Sequence, residues 1–276
     1  MTATAQTATP KHVSAPTLMR TAIRTLAVLA PPLAVRAAAR LFRFPMRAET
    51  KPKGERFEVR AGRHVVRGGV RGTGPLVILA HGWAGAEQQF DALADALVAR
   101  GFRVATFSAI GHGASSGRFS SMVEFRDSLR AVASHFGEPH AIVGHSLGGA
   151  ASALAVSEGL RTQRLVLIAP SAHPRRYLNL FFDWFDFPNA LRERVVQHFE
   201  KTLGFAWSRL DVEAFGPQID VPTLIIHDRD DGEVPWEEGA AAARFIRGAE
   251  LVTVETLGHR RILRDAGVIQ LVANFI

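Results

Sequence analysis

The stretch Ala141-Ile142-Val143-Gly144-His145-Ser146-Leu147-Gly148-Gly149 decides how the rest of the chain is read. Its three leading apolar residues read as a buried central strand, and the alanine-rich run that continues to Glu158 reads as a helix. Between the two there is room only for a sharp turn. A serine at the apex of such a turn is held in a strained backbone conformation, and Gly144 and Gly148 supply the small neighbours that the turn requires. The helix beginning beside Ser146 also directs unpaired backbone N–H groups and the positive end of its dipole toward the hydroxyl, an arrangement suited to a developing oxyanion.

Outward from the turn, short β-branched runs alternate with longer helical stretches, which predicts a mostly parallel twisted sheet with helices on both faces. Upstream, Phe57 to Arg60 and Arg63 to Val70 read as an antiparallel pair turned at Ala61-Gly62. A buried strand over Leu76 to Ala80, a helix within about Ala86 to Arg100 and a strand over Arg103 to Phe107 follow. A loop rich in glycine and serine, Gly111 to Ser121, leads to a helix over Met122 to His135. Downstream, Arg164 to Ile168, Thr223 to His227 and Leu251 to Thr256 are further strands before a closing helix to Ile276. The segment between Pro170 and Pro222 is too long for one strand-to-helix unit and is heavy in aromatics, among them Phe181, Phe182, Trp184 and Phe185. It reads as an inserted helical cap at about 171–220, where a lid could roof a site at the carboxyl ends of the strands.

A serine hydroxyl is a poor nucleophile until a base takes its proton, and the base needs a carboxylate to fix its tautomer and stabilise its cation. In the chain order serine, acid, histidine the base comes last. Of His173, His198, His227 and His259, only His259 lies beyond the acidic cluster Asp228, Asp230, Asp231 and Glu233. Asp231 is the expected acid, with Asp228 the alternative. The same cluster has the composition of a turn, a helix cap or a metal site, but no second set of oxygen ligands accompanies it, so no metal is expected. The second oxyanion donor should come from His81-Gly82-Trp83-Ala84-Gly85, after the strand Leu76 to Ala80. The backbone N–H groups of Trp83 and Leu147 are the expected pair, and His81 is expected to order the loop.

Through His81-Gly82, the elbow Gly144-His145-Ser146-Leu147-Gly148, Asp231 with Val234-Pro235, and Gly258-His259, the chain resembles the α/β-hydrolase superfamily from about Phe57 to its end. It is most similar to bacterial, lid-bearing serine esterase-like members with an N-terminal helix. The resemblance implies the α/β-hydrolase fold with a helical cap, and a Ser146, His259, Asp231 triad that needs no cofactor. One departure concerns Ser108, ahead of Gly111-His112-Gly113-Ala114-Ser115, where many members carry a structural aspartate.

Composition bounds these readings. An apolar fraction of 47% and a charged fraction of 21% exclude wholesale disorder and a polytopic membrane protein. The absence of cysteine excludes disulfides, thiolate metal sites and cysteine nucleophiles. The net charge of +7 is concentrated at the start, where Lys11, Arg20, Arg24, Arg36, Arg40, Arg43 and Arg47 all precede the first acidic residue, Glu49. The remaining body is near neutral, which argues against nucleic acid as a partner.

The chain is therefore expected to divide into residues 1–48, a disordered start and a basic amphipathic helix, and residues 49–276, the hydrolase domain. Disorder is expected to about Pro16, and a helix over Leu33 to Arg47 with its arginines on one face. That helix is either packed on the domain with a solvated basic face, or makes peripheral contact with an anionic membrane, or is a targeting segment. Thr21 to Val35 is apolar but interrupted by Arg24 and Pro31-Pro32, short of the ~20 residues a membrane-spanning helix needs. The cytoplasm is the expected location.

The leading functional expectation is hydrolysis of a small-molecule ester with an apolar group. Acyl transfer, or a thioester or amide substrate, is compatible with the same serine. A non-catalytic binding module on a hydrolase scaffold is the alternative from another class.

Overall fold

The computed structural model describes residues 15–276. Among the described residues, eight strands form one sheet: β1 (Glu55–Ala61), β2 (His64–Arg71), β3 (Leu76–Ala80), β4 (Arg103–Ser108), β5 (Ala141–His145), β6 (Arg164–Ile168), β7 (Thr223–Asp228) and β8 (Glu250–Val254). Their spatial order is β1-β2-β4-β3-β5-β6-β7-β8. β2 pairs antiparallel with both β1 and β4, and every pairing from β4 onward is parallel. Parallel strands joined through helices are covered on both faces, which is why β3, β5 and β7 are buried at every residue and why β3 reads as an unbroken apolar run.

The helices are α1 (Thr17–Leu29), α2 (Pro31–Phe42), α3 (Asp91–Ala99), α4 (Met122–Phe136), α5 (Leu147–Ser157), α6 (Pro174–Phe185), α7 (Asn189–Leu203), α8 (Val212–Phe215), α9 (Trp236–Phe245), α10 (Gly258–Arg261) and α11 (Ala266–Phe275). The stretch read as one helix within Ala86 to Arg100 is a short 3-10 turn, Glu87–Phe90, followed by α3. Phe90, Leu93 and Leu97 of that region share a core with Val77 and Val143 of the sheet and Val272 of α11. Capping agrees with local chemistry: Ser121 and Asp265 each accept a hydrogen bond from a first-turn N–H of α4 and α11 respectively.

The chain divides into two compact units. One runs over Arg43–Pro174 and Ser208–Ile276 and holds the whole sheet. The other joins the described part of Met1–Phe42 to Arg175–Trp207. This corrects two sequence expectations. The insertion expected at about 171–220 contributes a separate unit only over Arg175–Trp207, because α8 and the turn after it belong with the sheet. Residues 1–48, expected as a region of their own with a single helix, supply both α1 and α2 to a core shared with α6 and α7. That core is largely aromatic, with Phe182, Phe185, Phe187, Phe199 and Trp207 buried against Ala34 and Ala38 of α2.

The N-terminal reading needs further correction. Most of the segment expected to be disordered lies outside the described residues, but Ala15 is buried and its N–H donates to the Trp184 carbonyl at 2.8 Å. The helix expected over Leu33 to Arg47 is α2, which starts at Pro31 and stops at Phe42. Arg43 and Arg47 therefore lie outside it. Arg43 pairs with Glu124, and Arg47 donates to the carbonyls of Gly113 and Gly117. Among the described residues, no helix is long and apolar enough to cross a membrane.

Candidate active site

Ser146 sits between the last residue of β5 and the first of α5, with φ 55° and ψ −124°. A positive φ is disfavoured for any residue with a Cβ, so this conformation persists only where its surroundings enforce it. They do so by shape. A Cβ on Gly144 would lie 2.6 Å from the Gly148 carbonyl oxygen, and one on Gly148 would lie 2.2 and 2.4 Å from the His81 and Ala80 oxygens. The turn is also pinned by hydrogen bonds: the Ser146 N–H donates to Ile168 O at 3.0 Å, and its carbonyl accepts from Ala150 at 3.1 Å.

The loop after β3 closes on this elbow. A Cβ on Gly82 would lie 2.9 Å from the Ser146 Cβ, so only glycine allows the approach. His81 spends both ring nitrogens on backbone: Nδ1–H donates to Gly82 O at 2.7 Å and Nε2 accepts from the Ala109 N–H at 3.0 Å. His112 does the same, its Nε2 accepting from the Ala84 N–H at 3.1 Å and its Nδ1–H donating to Ile110 O. Burial discourages a charge on either ring, lowering the His81 pKa to about 4 and the His112 pKa to about 3. The Ala84 N–H is taken, whereas among the described residues neither the Trp83 nor the Leu147 N–H donates to a protein acceptor.

Ser108, where the resemblance implies an aspartate, is buried and donates its hydroxyl hydrogen bond to the buried Glu87 carboxylate. The Ser108 carbonyl accepts from Ser115 at 2.5 Å. An acidic group is thus present at this corner, supplied by the 3-10 turn rather than by the end of β4.

The two remaining candidate residues come from the ends of β7 and β8. His259 lies in α10 and donates from Nδ1 to Asp231 Oδ2 at 2.7 Å, which leaves Nε2 with its lone pair. Asp231 is fully occupied: Oδ1 accepts from the Glu233 and Val234 N–H groups at 2.8 and 2.9 Å, and His227 Nε2 lies 3.6 Å from Oδ2. Burial alone would raise the Asp231 pKa, but the nearby His227 ring and hydrogen bonds from His259 and the Val234 N–H outweigh it and hold the carboxyl well below the usual carboxylate range.

Asp228, the alternative acid, does something else. Its Oδ1 accepts from Asp230 N and its Oδ2 from Leu257 N at 2.6 Å, tying the end of β7 to the loop that carries His259. Asp230 adds a bond from the Thr256 N–H at 3.2 Å.

His145 links the elbow to that loop. Its Nε2–H donates to the His259 carbonyl at 2.9 Å, and the two rings lie 4.5 Å apart between centroids. Desolvation and the neighbouring His259 lower the His145 pKa to about 3, keeping it neutral. The structure thus joins His259 to Asp231 directly and to the elbow through His145; among the described residues no hydrogen bond joins the Ser146 hydroxyl to His259. Sequence reasoning missed the contributions of His145, His112, His227 and Glu87. His145 stood inside the quoted elbow, but nothing in its spacing announced a bond to a residue more than a hundred positions away.

A serine driven to positive φ where a central parallel strand meets a helix is what the α/β-hydrolase fold is built to present, and this chain is a hydrolase of that class. It belongs to the serine aminopeptidase S33 family, whose model matches residues 73–214, just over half the chain. A non-heme haloperoxidase from Rhodococcus erythropolis is 28% identical over 237 residues, covering 68% of this chain and 86% of that protein. Among solved structures, a bromoperoxidase from Bacillus anthracis superposes with a TM-score of 0.62 at 19% identity, covering 80% of this chain and 99% of the other. An esterase from Exiguobacterium antarcticum gives 0.62 at 18%, covering 81% and 99%. At that identity the structural likeness concerns the fold alone.

Proposed function

We propose that the protein is a serine esterase, hydrolysing carboxylic esters through an acyl-enzyme intermediate with Ser146 as nucleophile, His259 as general base and Asp231 as its orienting acid. The observation that carries this reading is the 2.7 Å bond from His259 Nδ1 to Asp231, because it fixes the tautomer whose Nε2 can accept a proton. The Ser146 hydroxyl turns to Nε2 as substrate binds, a contact that commonly tightens only in the complex. Its oxygen attacks the acyl carbon, and the Trp83 and Leu147 N–H groups receive the oxyanion. His259 then passes the proton to the leaving alcohol. Water, deprotonated by the same imidazole, releases the acid and restores the serine. The negative charge held on Asp231 stabilises the imidazolium formed in each step.

A fluorophosphonate probe and p-nitrophenyl esters of increasing chain length test the reading together. The parent protein should be labelled and turn over at least one ester, while Ser146→Ala should lose labelling and about three orders of magnitude or more of turnover. An unlabelled, inactive parent would leave a binding module on a hydrolase scaffold as the better account. The family's aminopeptidase description supports a second reading, in which the scissile bond is an amide. Cleavage of aminoacyl p-nitroanilides faster than of the esters would select it.

A further inference from the structure

The turn between α1 and α2 is apolar on its outside. Val28 and Leu29 are 80% and 77% exposed, and Leu33, just past the turn, is 55% exposed. α1 contains no buried residue at all, although six of its thirteen residues are Leu, Met, Ile or Val. Ile23, Leu26 and Ala27 rest partly against the core of the helical unit, which leaves Val28 and Leu29 facing away from it. A water-facing turn gains nothing from three large aliphatic side chains within six positions.

The backbone of the turn is equally suited to an apolar surrounding. Pro31 and Pro32 have no N–H, the Ala30 N–H donates to Leu26 O at 2.9 Å, and the Leu33 and Ala34 N–H groups both donate to Ala30 O at 2.9 and 3.1 Å. No backbone donor from Ala30 to Ala34 is left unpaired, so burying this tip in hydrocarbon would strand none of them.

Behind the tip stand cations. Arg24 precedes Val28 by one helical turn, and Arg36 and Arg40 follow Leu33 by about one and two turns, all exposed. Arg24 shares Asp186 with Arg20, but Arg36 and Arg40 have no acidic partner within ion-pair distance among the described residues. Across the first 48 positions there is no acidic residue to oppose them.

We infer that the α1–α2 turn is an insertion tip for a membrane surface rich in anionic lipid: Val28, Leu29 and Leu33 enter the headgroup boundary while Arg36 and Arg40 meet lipid phosphates. The geometry matches an interfacial element, which dips only ~5–10 Å past the headgroups and uses basic residues on its flank. This is independent of the chemistry at Ser146.

Flotation of the full-length protein with phosphatidylcholine vesicles, with and without phosphatidylserine, tests it. The protein should bind the anionic vesicles and lose affinity as salt rises. Val28→Asp with Leu29→Asp should lower the partition about tenfold or more. Each of Arg36→Gln and Arg40→Gln should lower it about fivefold on anionic vesicles and leave weak binding to neutral ones unchanged. Since all four side chains are exposed, circular dichroism and ester turnover of the variants should match the parent. Absence of vesicle binding overturns the inference, as does binding that the tip variant retains. A parent that forms dimers by light scattering, lost in the tip variant, without binding vesicles would assign the same face to a second copy of the chain and overturn it equally.

Discussion

The elbow at Ser146 and the paired loops after β7 and β8 hold their side chains by different means. At the elbow the constraint is volume: Gly82, Gly144 and Gly148 each sit where a single added carbon would run into backbone or the nucleophile itself. In the β7 and β8 loops the constraint is charge, with three carboxylates accepting backbone N–H groups and one of them also accepting the imidazole. One region should therefore be sensitive to size and indifferent to charge, and the other the reverse.

Asp231→Asn is the strongest way to break that contrast. The amide oxygen can still accept from Glu233 and Val234, so folding should be kept, but the amide nitrogen now faces His259 and selects the wrong tautomer. Turnover of a p-nitrophenyl ester should fall about 10⁴-fold, while loss of the charge that the fold stabilises lowers the melting temperature without abolishing folding. A loss of less than tenfold would remove Asp231 from its role. Gly148→Ala tests the other side: the added methyl has backbone oxygens on two sides, and overpacking of this kind should cost about 3 kcal/mol. Thermal unfolding should show a melting temperature lower by about 6 °C or more. An unchanged melting point would mean that the elbow is not held by shape.

Asp228→Asn sharpens the division within the acidic loop. It replaces one of two charge-assisted acceptors with a donor facing the Leu257 N–H, which should cost about 2 kcal/mol in chemical denaturation. Turnover should drop only about tenfold, through a loosened His259 loop. If this variant were as inactive as Asp231→Asn, the assignment of the two aspartates would have to be exchanged.

A further effect is spread over pH rather than confined to one variant. His81, His112 and His145 have folded pKa values of about 4, 3 and 3, below the 6.5 of an unfolded histidine. Between those values the unfolded chain binds more protons, so stability falls as the pH is lowered from about 6.5, by up to about 1.4 kcal/mol per pH unit for each ring. Asp231 adds a loss of the same sign only below the pKa of an unfolded aspartate, about 3.9. Melting temperatures measured from pH 7 to 5 should decline, and less steeply in His145→Gln. A flat profile over that range would contradict the burial of the three neutral rings.

The same contrast explains what could be read in advance. Volume constraints leave glycines in the chain, and Gly144-x-Ser146-x-Gly148 was therefore legible, as were strands such as Leu76–Ala80 and Arg164–Ile168 whose burial writes itself as apolar runs. Hydrogen-bond partners leave no such mark. Asp228 and Asp231 look alike in sequence, and only the fold distinguishes the one that accepts from Leu257 N from the one that accepts from His259. The even spacing of Arg36, Arg40, Arg43 and Arg47 misled for a related reason. Periodicity shows which residues could share a helix face, but the helix stops at Phe42, and Arg43 and Arg47 turn to Glu124 and to loop carbonyls instead. The division of the insertion was hidden too, because shared burial, rather than adjacency in the chain, groups α1 and α2 with α6 and α7.

The hydroxyl-carboxylate contact between Ser108 and Glu87 has an evolutionary corollary. Both positions are buried and within reach of each other, so an aspartate introduced at 108 would set two anions face to face in a dry pocket. Neither site is at liberty to drift alone: a lineage moving toward aspartate at 108 must first neutralise 87, and one keeping glutamate at 87 is locked to a proton donor opposite. Positions 87 and 108 should therefore co-vary among descendants of this sequence as a single two-letter word.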